Sequence, residues 1–153
     1  MPYGTQDSWV TWSAVRRYLV WITFLMLLWE ILQLPFYSIW RDASWRYLVL
    51  AILHCTAGDI AIALTTFVAA ILISNPRWPQ EANLSQVVWL VALGISYTIY
   101  SEWSNLARGS WAYSPLMPTL PYLGTGLAPL VQWLVLPAFA LTRATRISRL
   151  NDG

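Results

Sequence analysis

Four long apolar stretches run along the chain, and short polar segments separate them. A helix that crosses a bilayer needs about 20 consecutive, mostly apolar residues, and each stretch is long enough. The pattern predicts helices at about residues 18–40, 47–74, 84–105 and 122–142. We therefore expect an all-α fold: an integral membrane bundle of four transmembrane helices, built as a single transmembrane domain over residues 1–153.

The composition supports this class. Hydrophobic residues make up 58% of the 153 positions and charged residues only 10%, whereas roughly a quarter of the residues in a soluble domain are charged. All nine basic residues are arginines, and the absence of lysine excludes Schiff-base chemistry on the protein. The formal net charge of +2 is too small to indicate a nucleic-acid partner, and the lone Cys55 excludes an internal disulfide.

The arginines predict the orientation, because basic residues collect on the cytoplasmic side of a membrane protein. We expect both termini to be cytoplasmic and residues 143–153 to form a cytoplasmic basic tail in contact with anionic lipid headgroups. We expect the protein to be an integral protein of a bacterial inner membrane. With four spans, one side carries Arg16, Arg17, Arg77, Arg143, Arg146 and Arg149, and the other carries Arg41, Arg46 and Arg108.

Four ionisable residues lie inside the apolar stretches: Glu30, His54, Asp59 and Glu102. Such groups are costly in hydrocarbon and usually mark a functional site. With a rise of about 1.5 Å per residue, all four fall in the outer half of the bilayer, and Gln132 reaches the same level from the fourth helix. The sequence therefore predicts one polar layer across the bundle.

The spacing of these residues shows which of them share a helix face. His54 and Asp59 are five positions apart, so they point about 140° away from each other. We expect that both cannot face one small pocket directly, so that one would be catalytic and the other structural. Two stripes hold Glu30, Gln33 and Tyr37 on the first helix, and Thr98, Glu102 and Asn105 on the third.

The connection between the third and fourth helices is rich in aromatic residues and proline. Its prolines at 115, 118 and 121 restrict the chain, so we expect an ordered outer loop. It would cover the polar layer as a lid or, alternatively, form a re-entrant segment anchored by Trp111 and Tyr113. Arg108 is the expected partner of Glu102 or of an anionic lipid headgroup.

Each buried polar residue also has a structural explanation. Glu30 could pair with Arg46 or Arg108 and only fix the register of the helices. The acidic residues and His54 could in principle hold a hard divalent metal ion. A single histidine and no Glu-x-x-His pair argue against it, so we predict no metal and no cofactor.

Trp29-Glu30 and the segment from Glu102 to Asn105, placed in a small helical bundle, resemble the emopamil-binding type of sterol isomerase and the small membrane-bound terpene cyclases. In those families an acid protonates an alkene or epoxide, and aromatic rings stabilise the resulting cation. The spacing of His54 and Asp59 departs from the His and Glu one turn apart of that pattern. The resemblance implies protonation chemistry on a lipophilic substrate.

We therefore expect an intramembrane acid–base enzyme of the isomerase or cyclase type, acting on a lipid or isoprenoid. Glu30 would donate the proton, Asp59 or His54 would act as the base, and Glu102 would lie at the mouth with Arg108. The candidate substrate-binding residues are Trp29, Gln33, Tyr37, Tyr97, Tyr100, Asn105, Arg108, Trp111, Tyr113 and Gln132.

Two other classes fit the same residues. The protein could bind or transport a proton, a cation or a small ligand, or it could be an accessory subunit whose buried charges pair with another chain. The partners predicted are membrane lipids and a lipophilic small-molecule substrate, with no nucleic acid and a possible homo-oligomer.

Overall fold

A computed structural model describes residues 6–74 and 84–151 of the chain, and it describes the side chains of residues 12–74 and 84–145. These ranges contain helices and connecting loops and no strand. The helices are α1 (Gln6–Gln33), a short 3-10 helix (Leu34–Phe36), α2 (Ile39–Asp42), α3 (Trp45–Ser74), α4 (Leu84–Arg108) and α5 (Leu127–Asn151).

Four of the described helices carry segments that are long and apolar enough to cross a membrane. Many large apolar side chains on their outer surfaces are exposed, as expected for a bundle surrounded by lipid. The chain is therefore an integral membrane protein with an all-helical bundle. The four segments are Trp12–Phe36, Trp45–Ser74, Leu84–Arg108 and Leu127–Thr145.

The middle two helices begin and end close to the predicted positions, but the first and last do not. The helix predicted over 18–40 starts earlier and ends at Gln33, because Pro35 lacks a backbone N–H and disfavours a helical residue before it. The helix predicted over 122–142 starts later, at Leu127, because Gly124 and Tyr122 adopt positive φ angles in the preceding turn.

The segment expected to be a basic tail, residues 143–153, is helical as far as Asn151, as the end of α5. Arg143 is exposed, and its guanidinium lies 4.9 Å from the centre of the Phe139 ring. The side chains of Arg77, Arg146 and Arg149 lie outside the described residues.

The four long helices form a ring in which α1 and α4 each pack against both α3 and α5. One end of the bundle is a tightly packed apolar core, where the Tyr18 and Phe67 rings stack at 4.5 Å. Small residues such as Ala14, Ala140 and Ala144 are fully buried there and allow the helices to approach closely.

Trp133 closes this core towards the middle of the bundle. Its side chain is 1% exposed and lies against Gly94 of α4. A Cβ atom at position 94 would overlap the indole ring, so the close approach of α4 to α5 depends on the glycine. Beyond Trp133, the helices separate around a cavity.

The far end of this cavity is covered by the α4–α5 loop, residues 109–126. Its backbone pairs with the segment after α1: Ser38 N–H donates to the Ala112 carbonyl at 2.9 Å, and Ser114 N–H donates to the Phe36 carbonyl at 2.9 Å. The Ser114 hydroxyl also donates to the Pro35 carbonyl at 2.8 Å. These bonds hold the loop in a fixed place over the bundle.

Candidate functional site

The cavity lies between Trp133 and the α4–α5 loop and has a volume of about 280 Å³. That is close to the lower end of the range of small-molecule sites, roughly 300–1,000 Å³. Residues from α1, α3, α4, α5 and the loop line it. Ten of the residues singled out in the sequence are among them: Glu30, Gln33, Tyr37, His54, Asp59, Tyr97, Glu102, Asn105, Trp111 and Gln132.

Two carboxyl groups meet on the wall of this cavity. Glu30 on α1 and Asp59 on α3 are hydrogen-bonding partners. A carboxylate only accepts hydrogen bonds, so contact between two carboxyl groups requires a proton on one of them. We call Glu30 and Asp59 the carboxyl pair.

Two glutamines hold the carboxyl pair in place. The Gln33 amide donates to Glu30 Oε1 at 2.5 Å, and the Gln132 amide donates to Asp59 Oδ2 at 2.6 Å. Gln33 Nε2 is also 3.4 Å from Gln132 Oε1, which links the two supports across the bundle. Because each carboxyl group accepts an amide N–H, its orientation is set before any ligand binds.

Trp29 contacts this hydrogen-bond network from outside the cavity. Its indole N–H donates to Gln33 Oε1 at 3.0 Å, and its side chain is absent from the cavity lining. Gln132 Nε2 also lies 3.0 Å from the sulfur of Met26. Trp29 was predicted to bind substrate, but the structure places it as a residue that orients Gln33.

Glu102 forms a second polar group with two tyrosines. The Tyr113 hydroxyl donates to Glu102 Oε2, and the Tyr37 hydroxyl lies 3.4 Å from Glu102 Oε1. Tyr113 in turn accepts the backbone N–H of Gly126 at 2.9 Å. The buried indole N–H of Trp111 lies near the same carboxylate. Glu102 therefore fastens the α4–α5 loop to the end of α1.

Burial raises the pKa of the Tyr37 phenol, and the nearby negative charge of Glu102 raises it further. Burial also raises the pKa of Tyr113, and its hydrogen bond to Glu102 adds to the effect. A group whose pKa is raised by folding stabilises the protein below its unfolded pKa, and this contribution is lost as the pH rises through the folded value. The contact is therefore fully present below pH 10, the ordinary tyrosine value.

Tyr113→Phe should lower stability by about 1 kcal/mol at neutral pH, because it removes one hydrogen bond to a charged group. The difference in the free energy of unfolding between wild type and variant should shrink as the pH rises above 10, because the stabilisation by the Tyr113 hydroxyl is lost there. Thermal unfolding of the detergent-solubilised protein between pH 7 and 11 measures both effects. Tyr122→Phe is the control, since Tyr122 is fully exposed; an equal loss in both variants would contradict this role for Tyr113.

Arg108 does not pair with Glu102 or Glu30, so these two expected ion pairs are not formed, and an anionic lipid headgroup stays the predicted partner of Arg108. The Arg108 side chain is exposed and donates to the Ser104 carbonyl at 3.1 Å and to Asn105 Oδ1 at 3.2 Å. Pairing would require the guanidinium to leave the end of α4, whereas Glu102 already accepts two phenol groups. Among the residues that the structure describes, no arginine lines the cavity.

His54 and Asp59 both line the cavity, although they lie on different faces of α3. The cavity extends around the helix: Asp59 is inside and half-buried, and His54 is on the exposed rim. Tyr97 is also on the rim, whereas Tyr100 is 64% exposed and outside the lining. The two side chains therefore do not face the same part of the cavity, and they share it because it is wide enough to extend around α3.

The sequence interpretation missed Trp133, which forms one wall of the cavity, and Gly58, which lies on its rim. A tryptophan in the middle of an apolar stretch, away from the membrane interfaces and beside Gln132, is the signal for the first. Gly58 belongs to a row of small residues on α3, which indicates a close approach of a helix or a ligand. Within the described ranges, no group of three or more His, Cys, Asp or Glu side chains is arranged to hold a metal ion.

The fold and the cavity define an integral membrane protein with a polar cavity inside its helical bundle. No protein-family model, no curated protein and no solved structure matches the chain. Its function is therefore argued from the site.

Proposed function

We propose that the protein is an intramembrane acid–base enzyme that acts on a lipid or isoprenoid. The observation that carries the proposal is the carboxyl pair, Glu30 and Asp59, on the wall of a cavity inside the membrane-spanning bundle. A proton held between two fixed carboxyl groups suits the protonation of a carbon–carbon double bond. Transfer to one alkene carbon forms a C–H bond, and removal of a proton from a neighbouring carbon breaks another, so an isomerisation or cyclisation needs no further reactant.

The two carboxyl groups take different roles. We assign Glu30 as the donor, because its side chain is less exposed to the surroundings than that of Asp59. Asp59, which the amide N–H of Gln132 holds in place, takes the proton back from the substrate as the base. The rings of Tyr97 and Trp133 lie on the wall, where an aromatic face stabilises a developing positive charge.

A protein that binds or transports a proton or a cation is the second candidate, and the grouping of Glu30, Asp59 and Glu102 around one cavity favours it. The enzyme is the better candidate because Glu102 is already held by two phenols and the carboxyl pair by two amides. Flux measurements in proteoliposomes distinguish the two, since the second candidate requires pH- or cation-dependent movement across the membrane.

Proton transfer to carbon can be detected without knowing the substrate. Proteoliposomes that contain the protein and a total lipid extract are incubated in heavy water, and the lipids are then analysed by mass spectrometry. An acid–base enzyme transfers deuterium from solvent to carbon, so one lipid species should gain one mass unit per turnover. Vesicles without protein give the background, and an unchanged lipid profile would count against the proposal.

We also propose that both termini face the cytoplasm of a bacterial inner membrane, with surrounding lipids and a lipophilic substrate as partners. Arg16 and Arg143, at the same end of the bundle, are exposed as the rule for basic residues requires. A green fluorescent protein fused to the C-terminus should be fluorescent, and alkaline phosphatase fused there should be inactive. After Leu116, in the α4–α5 loop, a fused green fluorescent protein should not be fluorescent and a fused alkaline phosphatase should be active. The same result at both fusion sites would contradict the topology.

A further inference from the structure

The cavity opens on one side of the bundle. Three of its lining residues are exposed, and all three lie on neighbouring helices: His54 and Gly58 on α3, and Tyr97 on α4. On the opposite wall Gln132 and Trp133 are buried at 1% exposure each. The α4–α5 loop covers one end and the apolar core fills the other, so the opening lies between α3 and α4.

Small residues border this opening, and it lies on the outer surface of the bundle. A Cβ atom added at Gly58 would meet nothing within 4 Å, and Ala51 and Cys55 add little volume to the same wall. Leu53 beside the opening is 54% exposed and Tyr100 is 64% exposed, so apolar surface surrounds it. Since α3 and α4 span the membrane, this surface contacts lipid acyl chains.

The polar groups of the cavity indicate the chemistry of the ligand. The three carboxyl groups already accept hydrogen bonds from amides and phenols, and among the described residues no three His, Cys, Asp or Glu side chains are grouped to hold a metal ion. Acidic walls without an arginine repel a phosphate. One buried polar atom of the lining, the Thr98 hydroxyl, has no partner among the described residues. A hydroxyl both donates and accepts, so it suits a ligand that carries a carbonyl or hydroxyl oxygen.

We infer that the cavity binds a neutral, oxygen-bearing lipid, such as a long-chain alcohol or ketone, which enters from the bilayer between α3 and α4. Its oxygen accepts from the Thr98 hydroxyl, and its chain leaves past Gly58. The volume of about 280 Å³ suits the head of such a molecule, with the remainder in the opening. This inference rests on the proposed function and names its substrate class: uncharged and dissolved in the membrane.

Photolabelling tests this class with two matched probes. The purified protein in lipid nanodiscs is illuminated with a dodecanol that carries a diazirine, and separately with the phosphate monoester of the same compound. We expect the alcohol to label peptides that contain cavity residues, and excess unlabelled 1-dodecanol to suppress this labelling. Equal labelling by the phosphate, or labelling that 1-dodecanol does not suppress, would overturn the inference.

Variants test the route and the oxygen contact. Gly58→Leu should reduce cavity labelling by about tenfold, because the new side chain fills the opening without a clash in the bundle. Ala57→Leu is the matched control, since Ala57 is exposed beside Gly58 and outside the lining. Thr98→Val should weaken competition by 1-dodecanol by up to about tenfold. Unchanged labelling in Gly58→Leu overturns the route, and unchanged competition in Thr98→Val overturns the oxygen contact.

The two proposals fail in different experiments, because labelling requires no proton transfer. Suppressible labelling without deuterium incorporation would support a neutral-lipid site and reject the enzyme. Deuterium incorporation into a phosphorylated lipid, with no labelling by the alcohol, would support the enzyme and reject the neutral class.

Discussion

Glu30→Gln should reduce deuterium incorporation into lipid by about 10²–10⁴-fold, the usual contribution of a positioned general acid. Glutamine keeps the size of the side chain and can still accept the Gln33 amide, which now lies 2.5 Å from Glu30 Oε1. It holds no acidic proton, however, so the carboxyl pair can no longer deliver one. The initial rate of mass gain in the labelled lipid measures the effect.

Asp42→Asn is the matched control for this change. Asp42 is an exposed residue of the short helix α2 and lies outside the cavity lining, so the same carboxyl-to-amide replacement should leave the rate unchanged. Thermal unfolding shows whether Glu30→Gln still folds. A folded Glu30→Gln protein with wild-type activity would reject Glu30 as the proton donor.

Gly94→Leu should destabilise the bundle by about 1–3 kcal/mol, the usual cost of adding side-chain volume to a packed core. Even a Cβ atom at this position overlaps the Trp133 ring, and the indole is fully buried and cannot move aside. Chemical or thermal unfolding in detergent measures the loss. We also expect weaker 1-dodecanol competition, because a displaced Trp133 would narrow the cavity.

Gly58→Ala is the control for the glycine itself. A Cβ there meets no atom within 4 Å, and alanine favours a helix more than glycine does, so its stability should equal or slightly exceed that of wild type. If Gly94→Leu and wild type have the same free energy of unfolding, then α4 and α5 separate easily and the tight contact at Trp133 contributes little to stability.

The bundle and the level of its polar residues follow from local features of the chain. A long apolar run must form a helix in a bilayer, because each backbone N–H and C=O group needs a partner within its own segment. The rise per residue then places Glu30, Asp59, Glu102 and Gln132 at a common depth, and the structure brings all four to one cavity. This much needs only the order of residues and the length of each helix.

The partners of those residues depend on how the helices pack, which spacing along one helix does not reveal. Charge alone favours an arginine beside Glu102. In the structure, the Tyr113 hydroxyl of the α4–α5 loop donates to Glu102 and accepts the Gly126 N–H. Arg108 donates to a carbonyl of its own helix instead. The width of the cavity likewise depends on the contact of Gly94 with Trp133, residues on different helices.

The sequence therefore predicts the features that depend on interactions between residues near each other in the chain, and the tertiary structure decides those that depend on contacts between helices. Hydropathy and helix geometry act within about 20 residues and specify the membrane class, the number of helices and the depth of the polar layer. Contact between Glu30 and Asp59 joins α1 to α3, and the Gln132 amide reaches Asp59 from α5. Such contacts arise from the three-dimensional packing of separate helices, and they bring polar residues that are far apart in the sequence into one site.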